Sequence, residues 1–312
     1  MKMNETKTKK TIQRRYIFAA GLFLLLICTI CLYIVLTFEP EPDPASEMII
    51  RQIVATKLNK ELNDLTEEDF AGIKELEVST GYIGTENPKL KDIKILEKFT
   101  NLEYFGIVYV HFQRKEVSKV FSFLAKIGIY DLDAKHSIDL SPLEKLKKLK
   151  NLKLFYTNIS SIKSIRKLKN LEELGLAGTQ VSDLKPINQM KNLKNLIIEN
   201  SPVSDLNPIK GLTNLEELYL MGTKVSNLEP LRKLTKMRVL ELPNNPVSDI
   251  SPLADMNNLR SLSLNGTNVS NLDLLKKFKN LKILNLGNCP NITKWQKDDL
   301  QKALPELKEL FR

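Results

Sequence analysis

Leucine returns at one fixed interval through most of this chain, and that interval decides what the chain can fold into. The pattern L-x-x-L-x-L-x-x-(T/N/S/C)-x-(V/I)-x-x-L-x-x-L begins at Leu149, Leu171, Leu193, Leu215, Met237, Leu259 and Leu281, so the step from each start to the next never changes. One repeat reads Leu171, Leu174, Leu176, Thr179, Val181, Leu184, Ile187, and the next Leu193, Leu196, Ile198, Ser201, Val203, Leu206, Ile209. Upstream the pattern persists with slack: Ile127, Tyr130 and Leu132 open one repeat, Leu102, Phe105 and Ile107 a longer one, and Ile73, Leu76 and Val78 the first and longest. The expectation is ten coils. A lone amphipathic helix has no reason to keep so long a phase, whereas stacked supersecondary units do.

Each position of the repeat has a physical task. In L-x-L the outer residues of a short strand point to one side, so the leucines face inward. Successive coils would pair these strands into one parallel sheet at about 4.8 Å spacing, roughly 45 Å long for ten coils. The ninth position holds Thr157, Thr179, Ser201, Thr223, Asn245, Thr267 and Cys289. There the chain bends off the strand, and a small polar side chain is expected to bond the backbone of the neighbouring coil. Pro142, Pro186, Pro208, Pro230 and Pro252 share one phase, with Ser164 and Leu274 in the same place elsewhere; proline fits the first residue of a short helical turn on the far side. One coil cannot fold alone, so neighbours share a core and both ends need covers. Residues 46–64, with Ile49, Ile50, Ile53, Val54 and Leu58 on one helical stripe, are read as the first cover, followed by a helix start at Thr66-Glu67-Glu68-Asp69. Residues 294–312, punctuated by Trp295, Leu300, Leu304, Leu307 and Leu310, are read as a terminal helix over the last coil.

The fold class is therefore α/β: a solenoid with one parallel sheet on its concave face, helical caps, and a single transmembrane helix at the N-terminus. The last element comes from Tyr16 to Phe38, which contains no charged side chain. About 20 apolar residues span a bilayer core, and this run is too long for a signal-peptide core of about 7–15. Lys2, Lys7, Lys9, Lys10, Arg14 and Arg15 against Glu5 give residues 1–15 a charge of +5, and the other flank is acidic. The positive-inside rule then leaves the N-terminus cytoplasmic and the rest outside, in periplasm or at the cell surface. The expected organisation is a basic tail 1–15, a signal anchor 16–38, a Pro-rich spacer 39–45, a helical cap 46–72, repeats 73–288 and a second cap 289–312.

The remaining half of the net charge of +10 is spread over the repeats. Its lysines recur at one phase of the coil, as in Lys147-Lys148, Lys167-Lys169 and Lys276-Lys277, which describes a solvated edge and not a nucleic-acid surface. Of three cysteines, Cys28 and Cys31 lie in the apolar run and only Cys289 in the folded part, so packing and not a disulfide must stabilise the domain. His111 and His136 are the only histidines. No metal-ligand spacing, phosphate loop or nucleophile elbow is present, and the group Asp131, Asp133, His136 is read as loop. No enzyme activity, cofactor or metal is expected.

The segments Val181-Ser182-Asp183-Leu184-Lys185-Pro186-Ile187 and Val247-Ser248-Asp249-Ile250-Ser251-Pro252-Leu253, the 22-residue coil and the Thr66-Glu67-Glu68-Asp69-Phe70 helix start resemble the internalin-like class of bacterial leucine-rich repeats over residues 44–312. The resemblance implies a leucine-rich-repeat solenoid whose concave face binds a protein. Unlike the secreted members of that class, this sequence carries an expected membrane anchor, and no wall-sorting signal or immunoglobulin-like segment is read after its repeats.

Concave positions are those between the buried leucines. They place Ile197, Tyr219, Met221 and Val239 on three successive coils, with Glu173, Glu199, Glu217 and Glu241 around them. An exposed aromatic-plus-methionine patch with a charged rim has the composition of a binding centre. The expected partner is an acid-tolerant or basic protein segment docking on this patch. The alternative is an assembly subunit that braces a membrane complex through its convex side.

Overall fold

The computed structural model describes residues 44–80, 93–109 and 138–311. They belong to one compact unit, Asp43–Arg312. The basic tail, the apolar run 16–38, most of the spacer, both histidines, and Asp131 and Asp133 lie outside the described residues. Among the described residues no helix is long and apolar enough to cross a membrane.

Ten strands form one sheet in chain order, every neighbouring pair parallel. They are β1 (Glu75–Thr80), β2 (Tyr104–Tyr109), β3 (Asn151–Phe155), β4 (Glu173–Gly175), β5 (Asn195–Ile197), β6 (Glu217–Tyr219), β7 (Val239–Glu241), β8 (Ser261–Ser263), β9 (Ile283–Asn285) and β10 (Glu309–Phe311). From β3 to β9 the register equals the sequence repeat: Glu173 pairs with Asn195, Asn195 with Glu217, Glu217 with Val239. No coil therefore gains or loses a residue relative to its neighbour, and each leucine stacks on its own equivalent.

Two expectations about the coil count change. The sheet runs from β2 straight to β3, where the coil opening at Ile127, Tyr130 and Leu132 is expected. Those residues lie outside the described part of the chain. The tenth strand comes instead from the C-terminal end. Residues 294–312 are not one helix: the helix α3 (Lys294–Ala303) is followed by β10, which continues the sheet beyond β9. Three apolar residues in L-x-x-L-x-L spacing are a weak marker when they stand outside a run of constant phase.

The opposite side of each coil is a short 3-10 segment. Proline occupies its first or second position in Ser141–Lys145, Lys185–Ile187, Asn207–Ile209, Glu229–Leu231 and Ser251–Leu253. An Asp or Asn two residues ahead starts most of them: the carboxylates of Asp139, Asp183, Asp205 and Asp249 and the amide oxygens of Asn227 and Asn271 each accept from the backbone N–H two residues on. The Asp in the V-S-D-L motif thus fixes a local turn. Strands pack about 4.8 Å apart while helical segments need more lateral room, so the stack bends toward its sheet and the sheet is the inner curve.

Between the two sides lies one continuous apolar core from Ile50 to Leu307. At the N-terminal end it is closed by α1 (Pro44–Leu58) and α2 (Glu67–Gly72). The first helix stops at Leu58, earlier than the expected 64, where Asn59 adopts a left-handed backbone. Thr66 caps α2 in a capping box with Asp69. The Lys60 ammonium and the Thr66 N–H both bond the Asp69 carboxylate and hold its pKa down at about 2. Phe70 from α2 meets Phe99 edge-on at 5.4 Å, sealing the first coil. At the other end Thr293 caps α3 in the same way with Gln296. Leu300, Leu304 and Leu307 are buried, but Trp295 is 72% exposed and takes no part in the cover.

The ninth-position residues are buried, yet they bond differently from expectation. The hydroxyls of Thr157, Thr179, Ser201, Thr223 and Thr267 donate to the carbonyl three residues earlier in their own coil. Only Asn245 and Cys289 donate to the backbone of the preceding coil, at Leu220 O and Leu264 O. A hydroxyl on a short side chain finds its nearest carbonyl where the strand turns away, whereas the longer amide of Asn245 spans the gap. Links between coils come instead from the residue before each repeat start. Asn170, Asn192, Asn214, Asn258 and Asn280 each donate to the carbonyl 23 residues earlier.

A second pattern has a period of two coils. The turn after the strand carries a positive φ in every coil from β3 to β9, and from Gly178 on its residue alternates: Tyr156, Gly178, Asn200, Gly222, Asn244, Gly266, Asn288. A Cβ on Gly222 would lie 2.6 Å from Asn200 Oδ1, and one on Gly266 equally close to Asn244 Oδ1. The asparagine amide fills the space beside the next coil's glycine, so glycine there answers both the backbone conformation and its neighbour.

A candidate protein-binding face

The sheet register arranges the inner-curve residues in columns. One column reads Asn151, Glu173, Asn195, Glu217, Val239, Ser261, Ile283; the next reads Lys153, Gly175, Ile197, Tyr219, Glu241, Ser263, Asn285. Ile197 and Tyr219 are therefore direct neighbours, and Tyr219 and Glu241 are too. Val239 stands one coil on and one column across, and Met221 follows Tyr219 just past its strand. All four apolar residues are half-buried. Tyr219 is the centre of the group.

Three of the four glutamates set the electrostatics around that centre. The Tyr219 hydroxyl donates to Glu217 Oε2 at 3.1 Å. Burial pushes its pKa up to about 12, helped by the charges of Glu217, Glu241 and Glu199. Burial likewise raises the pKa of Glu199 and of Glu241, the latter opposed by a hydrogen bond from the Ser261 hydroxyl and reinforced by the charge on Glu199. Two desolvated carboxylates so placed are better satisfied by an incoming cation than by each other. Glu173 does not join them. It pairs with Lys153 at 3.1 Å and accepts from Asn151 Nδ2 at 2.9 Å, on the N-terminal side of the patch.

The structure adds a residue that the columns alone do not show. Phe155 projects over the next coil: a Cβ on Gly175 would meet its Cε1 at 2.3 Å. Glycine at 175 thus provides the floor for the Phe155 ring. Phe155, Ile197, Tyr219 and Val239 form an apolar diagonal across five coils, with Glu217 on one side and Glu199 and Glu241 on the other. The signal was present in sequence as an aromatic on one coil facing a glycine on the next. Nearer the N-terminal cap, the Tyr104 hydroxyl donates to Glu77 Oε2 at 2.6 Å, and Lys153 lies 5.7 Å from the Tyr104 ring centroid. Burial and Glu77 together raise the Tyr104 pKa. Among the described residues no group of three or more His, Cys, Asp or Glu is placed to hold a metal ion.

Parallel strands on the inner curve, proline-started 3-10 segments outside and a constant register define a leucine-rich-repeat solenoid. Comparison with known proteins agrees. Residues 107–251 match the family model described as leucine-rich repeat region, and residues 257–302 match that for two copies of leucine-rich repeats. Among solved structures, internalin C2 from Listeria monocytogenes is 27% identical with a TM-score of 0.61, over 80% of this chain and 93% of that one. The internalin inlF from the same organism is 26% identical with a TM-score of 0.62, over 88% of this chain and 79% of that one. The chain is thus internalin-like in fold. No curated protein matches it.

Proposed function

We propose that this protein is a non-enzymatic binding module held outside the cytoplasmic membrane by an anchor at 16–38, and that it takes a protein ligand on the concave face of its leucine-rich repeats. The observation that carries the binding reading is the half-buried group Ile197, Tyr219, Met221 and Val239, bordered by Glu217, Glu199 and Glu241 with Glu173 at its margin. Large, partly desolvated anchors encircled by charge are where interfaces concentrate their energy. The ligand segment is basic and extended. Its apolar side chains lie on the diagonal, and its cations meet Glu199 and Glu241, whose burial is offset when an ammonium or guanidinium arrives. The convex side offers less: it is a series of locally satisfied turns and exposed ion pairs such as Lys145–Glu97 and Lys167–Glu144, and exposed pairs contribute little.

The test uses the full chain in detergent and a labelled eight-residue peptide of alternating Lys and Val. Wild type binds it, and Tyr219→Asp weakens binding by about 30-fold, the size of a central hot spot. Equal affinity for the two proteins, with unchanged circular dichroism, would remove the patch as the docking site.

A further inference from the structure

A separate surface lies along the edge of the sheet, one residue before the first concave column. From the second strand onward this edge reads Glu103, Lys150, Glu172, Lys194, Glu216, Arg238, Arg260, Lys282 and Lys308, one residue per coil, joined in turn by backbone hydrogen bonds. The first six alternate in sign, and each cation has its carboxylate on the preceding coil: Lys150 with Glu103 at 2.6 Å, Lys194 with Glu172 at 2.6 Å, Arg238 with Glu216 at 3.2 Å. The next residue in that alternation would be acidic. It is Arg260.

The neighbouring column changes at the same place. Asn151, Glu173, Asn195 and Glu217 alternate amide and carboxylate, with Asn151 bonding Glu173 and Asn195 bonding Glu217. Val239, Ser261 and Ile283 then follow, and Ile283 is 38% exposed. Two independent columns therefore lose their acidic members over the same coils. Arg260 and Lys308 are exposed, and among the described residues Arg260 has no carboxylate within ion-pairing distance. Lys282 keeps a partner, Glu306, at the longer distance of 3.4 Å.

The fold does not require this break. A carboxylate at position 260 would sit between Arg238 and Lys282 and complete the ladder, so four successive cations about 4.8 Å apart oppose one another with no local gain. Departures from an otherwise self-consistent pattern concentrate where a surface serves a partner. We propose that Arg238, Arg260, Lys282 and Lys308, with Val239 and Ile283 beside them, form a docking rim for an acidic peptide segment whose carboxylates alternate with aliphatic residues. Charge complementarity selects an anion, and the apolar neighbours select a peptide. A phosphate polymer has no use for Val239 and Ile283, and its continuous charge meets Glu216 and Glu306 on the same rim. The rim meets the Tyr219 patch at Val239, which borders both, and is opposite to it in sign.

The test is an anisotropy titration of the full chain in detergent with a labelled eight-residue peptide of alternating Glu and Val. Wild type binds it with an affinity that falls steeply as salt rises. Arg260→Glu weakens binding by about tenfold while melting no earlier than wild type, and Lys210→Glu, an exposed reversal on the far side of the coils, leaves binding unchanged. Binding of the alternating Lys and Val peptide is unaffected by Arg260→Glu, which separates this surface from the patch around Tyr219. Absence of binding, equal binding by Arg260→Glu, or displacement of the peptide by a dT oligomer at equal charge concentration each overturns the proposal.

Discussion

Asn245 offers the sharpest test of how the coils are held to one another. It is 2% exposed and is the one ninth-position residue that satisfies both its own coil and the one before. Its amide nitrogen donates to Leu220 O at 2.7 Å and to Leu242 O at 3.2 Å. Its oxygen accepts from the Val225 N–H at 3.1 Å and lies 2.7 Å from the Thr223 hydroxyl, whose one proton it shares with Leu220 O. In Asn245→Ala the Leu220 carbonyl keeps the Thr223 hydroxyl, which already lies 2.9 Å from it. The Val225 N–H is left without the amide oxygen, a buried orphan worth about 1–3 kcal/mol, and Leu242 O loses a bond worth about 1 kcal/mol. The expected loss is about 2–4 kcal/mol. Asn245→Thr restores the residue type of most other coils and the bond to Leu242 O, so it should fall between alanine and wild type. Urea unfolding followed by circular dichroism at 222 nm, with the m-value checked for constancy, measures both differences. A loss below about 0.5 kcal/mol for alanine, typical of an inconsequential surface change, would show that the bridge between the two coils carries no stability and would refute the reasoning.

Two further outcomes follow from other parts of the molecule. Burial raises the Glu241 pKa above its ordinary 4.5, so the folded state holds this proton more tightly than the unfolded chain does. Stability then falls as pH rises from 4.5 through the folded value. Glu241→Gln should therefore raise the melting temperature at pH 7 and lose that advantage below pH 4; an advantage that persists in acid would contradict the burial argument. By the anchoring proposed above, the full chain should resist carbonate extraction and a chain lacking residues 16–38 should not; a deleted chain that stays in the membrane pellet would exclude that segment as the anchor.

The parts of the fold that are legible in sequence are those that the repeat phase controls directly. Inward leucines, the concave columns and the proline-started segments follow from period alone, because every coil has the same length and register. Where the phase lapses the reading weakens. The three apolar residues Ile127, Tyr130 and Leu132 are not followed by the polar and valine positions of the repeat. Leu310 reads as helix because the pairing of Glu309 with Ile283 takes a longer step along the chain than any pairing from β3 to β9. Spacing alone assigns the bonds of the five ninth-position hydroxyls to the wrong coil, since it does not tell whether a hydroxyl turns back within its own coil or crosses to a neighbour. The neighbourhood of Ile197, Tyr219, Met221 and Val239 follows from the register, but what borders it does not. Phe155 joins it only because Gly175 leaves room for the ring, and Glu173 leaves it because Lys153 is nearer.

The alternation of glycine and asparagine after the strands sets a rule for how such an array changes length. Removing one coil between Gly178 and Gly266 would bring two glycines, or two asparagines, face to face. In the second case the Cβ of one would press on the amide of the other, as the 2.6 Å approaches at Gly222 and Gly266 show. Removing or inserting two units together preserves every neighbour. The pair of coils is therefore the unit whose removal or insertion leaves the packing after the strands unchanged.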